Sequence, residues 1–115
     1  MANKLNIEIY DPKVETRNLS EQKLIDEKLF NKQIAYLFEN SNFYRNKLRK
    51  SGFKSAKSVG GLNNLEELPF TTKDELRKSQ SEAIVSASHW AAPIENIARI
   101  YSTSGTSGTP MYIPL

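Results

Sequence analysis

The sequence predicts an α+β chain, with helices first and a short β-hairpin after them. Three observations predict it. Apolar residues between positions 18 and 40 recur in steps of three to five, which suits a helix with one buried face. Capping signals, Asn18-x-x-Glu21 and Thr72-x-x-Glu75, precede two of the helical stretches. Residues 97–101 and 111–113 are short β-prone runs on either side of an unbroken Ser/Thr/Gly segment, residues 102–109.

Composition narrows the classes. The 115 residues make one small domain or a piece of a larger one. Leu, Ile, Val and Phe account for 28 of them, roughly a quarter. That exceeds the ~20% floor below which chains stay disordered, but it makes a thin core. There is no Cys, which excludes a disulfide scaffold, a thiol nucleophile and any Cys-ligated metal. The lone His89 cannot make a His pair for a metal. No apolar run approaches the ~18 residues of a membrane span, and the opening residues lack the apolar stretch of a secretory signal. A cytoplasmic location and no membrane partner are the expectations. A net charge of +3 permits an anionic ligand without demanding nucleic acid.

The elements follow in order. Leu5, Ile7 and Ile9 alternate and read as one edge strand; Asp11-Pro12 reads as a turn. Asn18 caps a helix running to about Glu39, with Leu24, Ile25, Leu29, Phe30, Ile34, Leu37 and Phe38 inward. Glu27, Lys28 and Lys32 fall on its solvated face. Ser41 or Asn42 caps a second helix that stops at Gly52, with Phe43-Tyr44 packing between the two. Residues 54–64 read as loop, and Leu65, Leu68, Pro69 and Phe70 as an apolar turn. Thr72 and Glu75 open a short helix with Leu76 inward. Ala83-Ile84-Val85 has no assignable type. The last residues, Tyr112-Ile113-Pro114-Leu115, fall inside an apparent strand, and two short strands are marginal alone. The expectation is the first part of a longer protein, or a sheet completed by a partner chain. Its free strand edges would favour self-association or a homodimer.

The 102–109 segment carries the chemistry. Gly105 and Gly108 let the backbone approach a ligand, successive N–H groups can form an anion nest, and hydroxyls add neutral donors. The same composition suits a flexible hairpin loop. It is not a Walker loop, since Gly108 is followed by Thr109 and Pro110 rather than Lys-Ser/Thr. Nor is it a dinucleotide fingerprint, since only Gly105-x-x-Gly108 is present.

Ser102-Thr103-Ser104-Gly105-Thr106-Ser107-Gly108-Thr109-Pro110 resembles the phosphate loop of adenylate-forming enzymes. Ile9-Tyr10-Asp11-Pro12, Asn42-Phe43-Tyr44-Arg45, the stretch from Leu68 to Arg77, and Ile97-Ala98-Arg99-Ile100 resemble, in order, the opening of phenylacetate-CoA ligases. The resemblance implies residues 1–115 as an N-terminal fragment of the large AMP-binding domain, with a helical part over roughly 18–80 and a phosphate-loop hairpin over roughly 97–115. It implies ATP, Mg²⁺, CoA and an aromatic carboxylic acid as the ligands of the full-length enzyme. Thr103, Ser104, Gly105, Thr106, Ser107, Gly108 and Thr109 would hold the β- and γ-phosphates. Many relatives carry a Lys beside the loop proline; here those places are Thr109 and Met111, leaving backbone and hydroxyl donors. The adenine loop, the metal-binding acid, the ribose-binding Asp and the C-terminal Lys of such enzymes lie further on. The fragment alone is therefore expected to be inactive, with no catalytic and no metal-binding residue of its own.

Other features have plainer readings. Arg45, Lys47, Arg49, Lys50, Lys54 and Lys57 form a basic run over residues 45–57 that a weak nucleic-acid binder could use, but a solvated helix face explains it. His89-Trp90 reads as partly buried structure, with Trp90 as a packing anchor. Capping accounts for Glu75 better than a catalytic Lys73-Asp74-Glu75 cluster does. A stand-alone protein-interaction module with a flexible Ser/Gly loop is the rival to the ligase reading.

Overall fold

The computed structural model describes residues 8–81, 88–105 and 108–115. Among these, five helices come first: α1 (Pro12–Glu15), α2 (Leu19–Asn40), α3 (Asn42–Lys50), α4 (Ala56–Val59) and α5 (Lys73–Ser81). Two 3₁₀ turns, Leu62–Glu67 and Ile94–Asn96, punctuate the connections. Strands β1 (Ile100–Ser102) and β2 (Tyr112–Pro114) follow as an antiparallel pair. Tyr101 stands opposite Ile113.

Local chemistry sets the helix ends. The Asn18 side chain accepts from the Glu21 amide at 2.9 Å, one of the N–H groups that α2 leaves without an intrahelical partner. The Ser41 hydroxyl does the same for Tyr44 at 3.3 Å and opens α3. Thr72 and Glu75 form the reciprocal box: Thr72 N–H donates to the Glu75 carboxylate at 2.8 Å, and Glu75 N–H donates to the Thr72 hydroxyl at 3.3 Å. α3 ends where Gly52 takes φ +97°, which lets the Phe53 amide return to the Leu48 carbonyl at 3.0 Å. That return also seats Phe53 in the core.

The core is small. Ile34 and Phe38 from α2, Leu48 from α3, Phe53, and Val59 from α4 form one buried cluster. It covers the C-terminal half of α2. Leu24 and Leu29 are 74% and 57% exposed, so the inward face expected along the whole helix stops short. The reason is a lack of partners: among the described residues, α3, α4 and the first 3₁₀ turn are the elements that pack on α2. The radius of gyration is 18.8 Å, against about 13 Å for a compact domain of this length.

Four further expectations are corrected. Asp11-Pro12 begins the short helix α1, capped by the Asp11 side chain on Lys13 N–H, with proline at its first position. Residues 54–64 are not a simple loop. Ser55 N–H donates to Ser58 Oγ at 3.1 Å and nucleates α4, while the Glu27 carboxylate accepts the Leu62 amide at 3.1 Å and holds the following turn. Glu27 thus leaves the solvated role expected for it. Ile9 is not in a strand; Leu5, Ile7 and the 83–85 run lie outside the described residues. Among the described residues no helix is long and apolar enough to cross a membrane.

Candidate functional site

The site of interest is the 103–109 loop and what holds it. β1 leads in and β2 leads out. The pairing extends past the strands at both ends. Thr103 N–H donates to the Met111 carbonyl at 3.0 Å. At the open end the Ala98 and Arg99 amides share the Leu115 carbonyl, a bulge-like ending that shortens the first strand from its expected start at residue 97.

The loop closes on itself at two places. The Thr103 hydroxyl accepts the Met111 amide at 2.9 Å, and the Gly108 amide donates to the Gly105 carbonyl at 2.9 Å. Gly105 sits at φ +67° and Gly108 at φ +129°, backbone regions that disfavour side chains. A Cβ on Gly105 would stand 2.9 Å from the Gly108 carbonyl oxygen and 3.1 Å from the Pro110 ring, so this turn has room only for glycine. Of the seven residues read as phosphate contacts, Thr103 and Gly108 have amides engaged in the hairpin. Ser104 and Thr109 are exposed, and Thr106 and Ser107 lie outside the described residues.

α5 is the platform beneath this hairpin. Gln80, only 3% exposed, donates from Nε2 to the Pro110 carbonyl at 2.9 Å and accepts the Tyr112 amide on Oε1 at 2.8 Å. Sequence reasoning missed it, because a Gln at the end of a polar helix carries no local signal. A cleft of about 300 Å³ lies against the hairpin, with Tyr44, Leu76, His89, Thr103, Met111 and Tyr112 among its walls. Leu76 is half-buried here rather than in the helical core.

His89 and its neighbours are structural in their contacts. The Ser79 hydroxyl lies 2.5 Å from His89 Nδ1, and the Phe43 ring meets the imidazole edge-on at 6.4 Å. Phe43 and Tyr44 stack edge to face at 5.0 Å, so they join α3 to His89 instead of filling the space between α2 and α3. Trp90 is buried, in keeping with an anchor role. Burial lowers the pKa of His89, because desolvation disfavours the imidazolium. A depressed folded pKa gives stability that is complete above the unfolded value near 6.5 and is lost as pH falls through the folded value. The melting temperature is therefore expected to fall as pH drops from 7 towards 5.5, and His89→Gln should flatten that slope. An unchanged slope in the variant would assign it elsewhere.

The basic run is partly internal. Arg45 Nη1 donates to the Phe38 carbonyl at 2.8 Å and caps the C-terminus of α2. Lys47 Nζ bridges the Glu75 carboxylate at 2.5 Å and 2.7 Å. Lys47 and the Thr72 amide hold the Glu75 carboxyl down, from an ordinary 4.5 to about 2. Glu75 is thus a cap and an ion-pair partner. Lys73-Asp74-Glu75 shows no convergent catalytic arrangement, and among the described residues no group of three or more His, Asp or Glu could hold a metal ion.

The chain resembles known proteins over most of its length. It is 31% identical over 105 residues to the phenylacetate-coenzyme A ligase of Thermus thermophilus, covering 91% of this chain and 22% of that protein. It is 28% identical over 103 residues to the phenylacetate-coenzyme A ligase of Escherichia coli, covering 90% and 22%. Among solved structures, a 2-hydroxyisobutyryl-CoA ligase in complex with 2-HIB-AMP and CoA superposes with a TM-score of 0.80 at 27% identity, covering 90% of this chain and 22% of that one. The same ligase in a postadenylation state superposes with a TM-score of 0.79 at 22% identity over the whole chain, which bears on the fold alone. No family model matches the chain. The chain spans under a quarter of the length of the curated relatives it matches.

Proposed function

We propose, on the premise that this chain is a homologue of the phenylacetate-coenzyme A ligases over nine-tenths of its length, that it forms the N-terminal part of an ATP-dependent, AMP-forming acyl-CoA ligase. The observation that carries the reading is the superposition on a CoA ligase at a TM-score of 0.80. The exposed apolar faces of α2 and of the hairpin, and the extended shape, support it. They are surfaces that the remaining domain of such an enzyme would cover.

In this reading residues 1–115 belong to the large AMP-binding domain, and the enzyme works in the cytoplasm on an aromatic carboxylic acid such as phenylacetate. A carboxylate oxygen of the acid attacks the α-phosphorus of ATP and displaces pyrophosphate. The sulfur of CoA then attacks the acyl carbon, AMP leaves, and the thiol proton is released. This chain's part is to bind and orient. The loop holds the β- and γ-phosphates through Thr103, Ser104, Gly105, Thr106, Ser107, Gly108 and Thr109, with the hydroxyls and the amides not engaged in the hairpin as donors. A pre-shaped cradle lowers the barrier by fixing the line of attack. Mg²⁺ that accompanies ATP finds no protein ligand set among the described residues.

The test is a hybrid in which this chain replaces the matching part of the Thermus thermophilus ligase. The hybrid is expected to exchange pyrophosphate into ATP when phenylacetate is present, and the isolated 115-residue chain is expected to form no acyl-adenylate. A hybrid with native-like circular dichroism but no exchange across a panel of aryl and short-chain acids would overturn the reading.

A further inference from the structure

We infer that Gln80 is a positioning residue for the 103–109 loop, setting how firmly that loop grips a polyphosphate. The inference deepens the proposed ligase reading and rests on it.

A side chain occupies the outer edge of β2. Tyr112 stands opposite Ser102 in the hairpin, yet its N–H points away from β1 and donates to Gln80 Oε1 at 2.8 Å. Two residues earlier the Pro110 carbonyl accepts from Gln80 Nε2 at 2.9 Å. A carbonyl and an amide two residues apart are the pair that one residue of a neighbouring parallel strand would bond. The Gln80 carboxamide therefore acts as a one-residue third strand. It matters because two three-residue strands are marginal alone.

The inner edge is held as well. Thr103 bonds both polar groups of Met111, its amide donating to the carbonyl and its hydroxyl accepting the N–H. Pro110, Met111 and Tyr112 are thus fixed from both sides at the point where the loop ends. Gln80 is 3% exposed and is carried by α5, whose N-terminus is tied to α3 through the Glu75–Lys47 bridge. The carboxamide links that helical platform directly to the loop's exit. Losing it frees the exit strand without removing any donor that faces a ligand.

The test uses the hybrid ligase described above. Gln80→Met keeps the length of the side chain and removes both polar atoms. Loss of two net hydrogen bonds, passed to ligand grip, predicts a rise of about five- to tenfold in the KM for ATP. The KM values for the acid and CoA should stay within about twofold, with a fall in melting temperature of at most a few degrees. The Tyr112 amide should exchange with deuterium about tenfold faster or more. Gln80→Glu keeps the acceptor for Tyr112 but sets a carboxylate oxygen against the Pro110 carbonyl; if Gln80→Met does not fold, it should raise the ATP KM in the same direction while Tyr112 exchange stays slow. An unchanged ATP KM overturns the inference, and so does a general rise of all three KM values together with a larger fall in melting temperature. If the unsubstituted hybrid shows no ATP-dependent exchange, the ligase reading fails separately. The clamp is then judged in the 115-residue chain, where accelerated Tyr112 exchange in Gln80→Met upholds loop positioning and unaltered exchange refutes it.

Discussion

Gly105→Val is expected to lower ATP–pyrophosphate exchange in the hybrid ligase by roughly a hundredfold or more. The cause is local. Gly105 adopts φ +67°, where a β-branched residue is strained, and its Cβ would collide with the Gly108 carbonyl at 2.9 Å and crowd the Pro110 ring. The turn must open to relieve this, and on the proposed reading the loop then loses its hold on the phosphates. Gly108→Val tests the same loop more gently. Its φ of +129° is unfavourable, but its Cβ meets nothing within 4 Å, so strain acts without collision. A smaller loss is expected there. The helical core lies elsewhere, in α2, α3 and α4, so helix content should be preserved in both variants. Full exchange activity in Gly105→Val would mean that the segment is a flexible connector, as the rival interaction-module reading holds.

Phe38→Ala should destabilise the chain by about 3–5 kcal/mol. Phe38 is one of five residues in the buried cluster formed among the described residues, and it joins α2 to α3 and to Phe53. Removing the ring leaves a cavity that a core this thin has few neighbours to refill. Single domains hold only about 5–15 kcal/mol in all, so the variant should sit near its unfolding transition at room temperature. Urea titration followed by far-ultraviolet circular dichroism measures it. Leu29→Ala is the comparison. Leu29 is 57% exposed, and its removal should cost well under ~1 kcal/mol in the isolated chain. Equal losses at the two positions would show that the cluster around Phe38 is not the stabilising core.

What can be read ahead of the fold divides by distance along the chain. Asn18 on Glu21, Ser41 on Tyr44, Thr72 with Glu75, and Gly52 after α3 are all contacts between residues three or fewer apart, or a backbone preference of one residue. Patterns of that length are written in the local sequence. Residues 54–64 are the exception: they read as loop because Ser and Gly signal turns, yet in the fold Ser55 and Ser58, three apart, bond each other to start a helix. The loop's Ser/Thr/Gly composition between two strands is legible; the engagement of the Thr103 and Gly108 amides in the hairpin is not.

By itself the sequence determined where α2, α3 and α5 begin, that a Ser/Thr/Gly loop joins two strands, and which ligases the chain resembles. Tertiary structure alone decided that Glu27 holds Leu62, that Lys47 holds Glu75, that Arg45 caps α2, and that Gln80 carries the hairpin. It also decided that Leu24 and Leu29, on α2's apolar face, stay uncovered. The physical reason is the same throughout. A polar side chain has many possible partners in an unfolded chain, and only the packing of remote segments selects one of them and removes water from the rest.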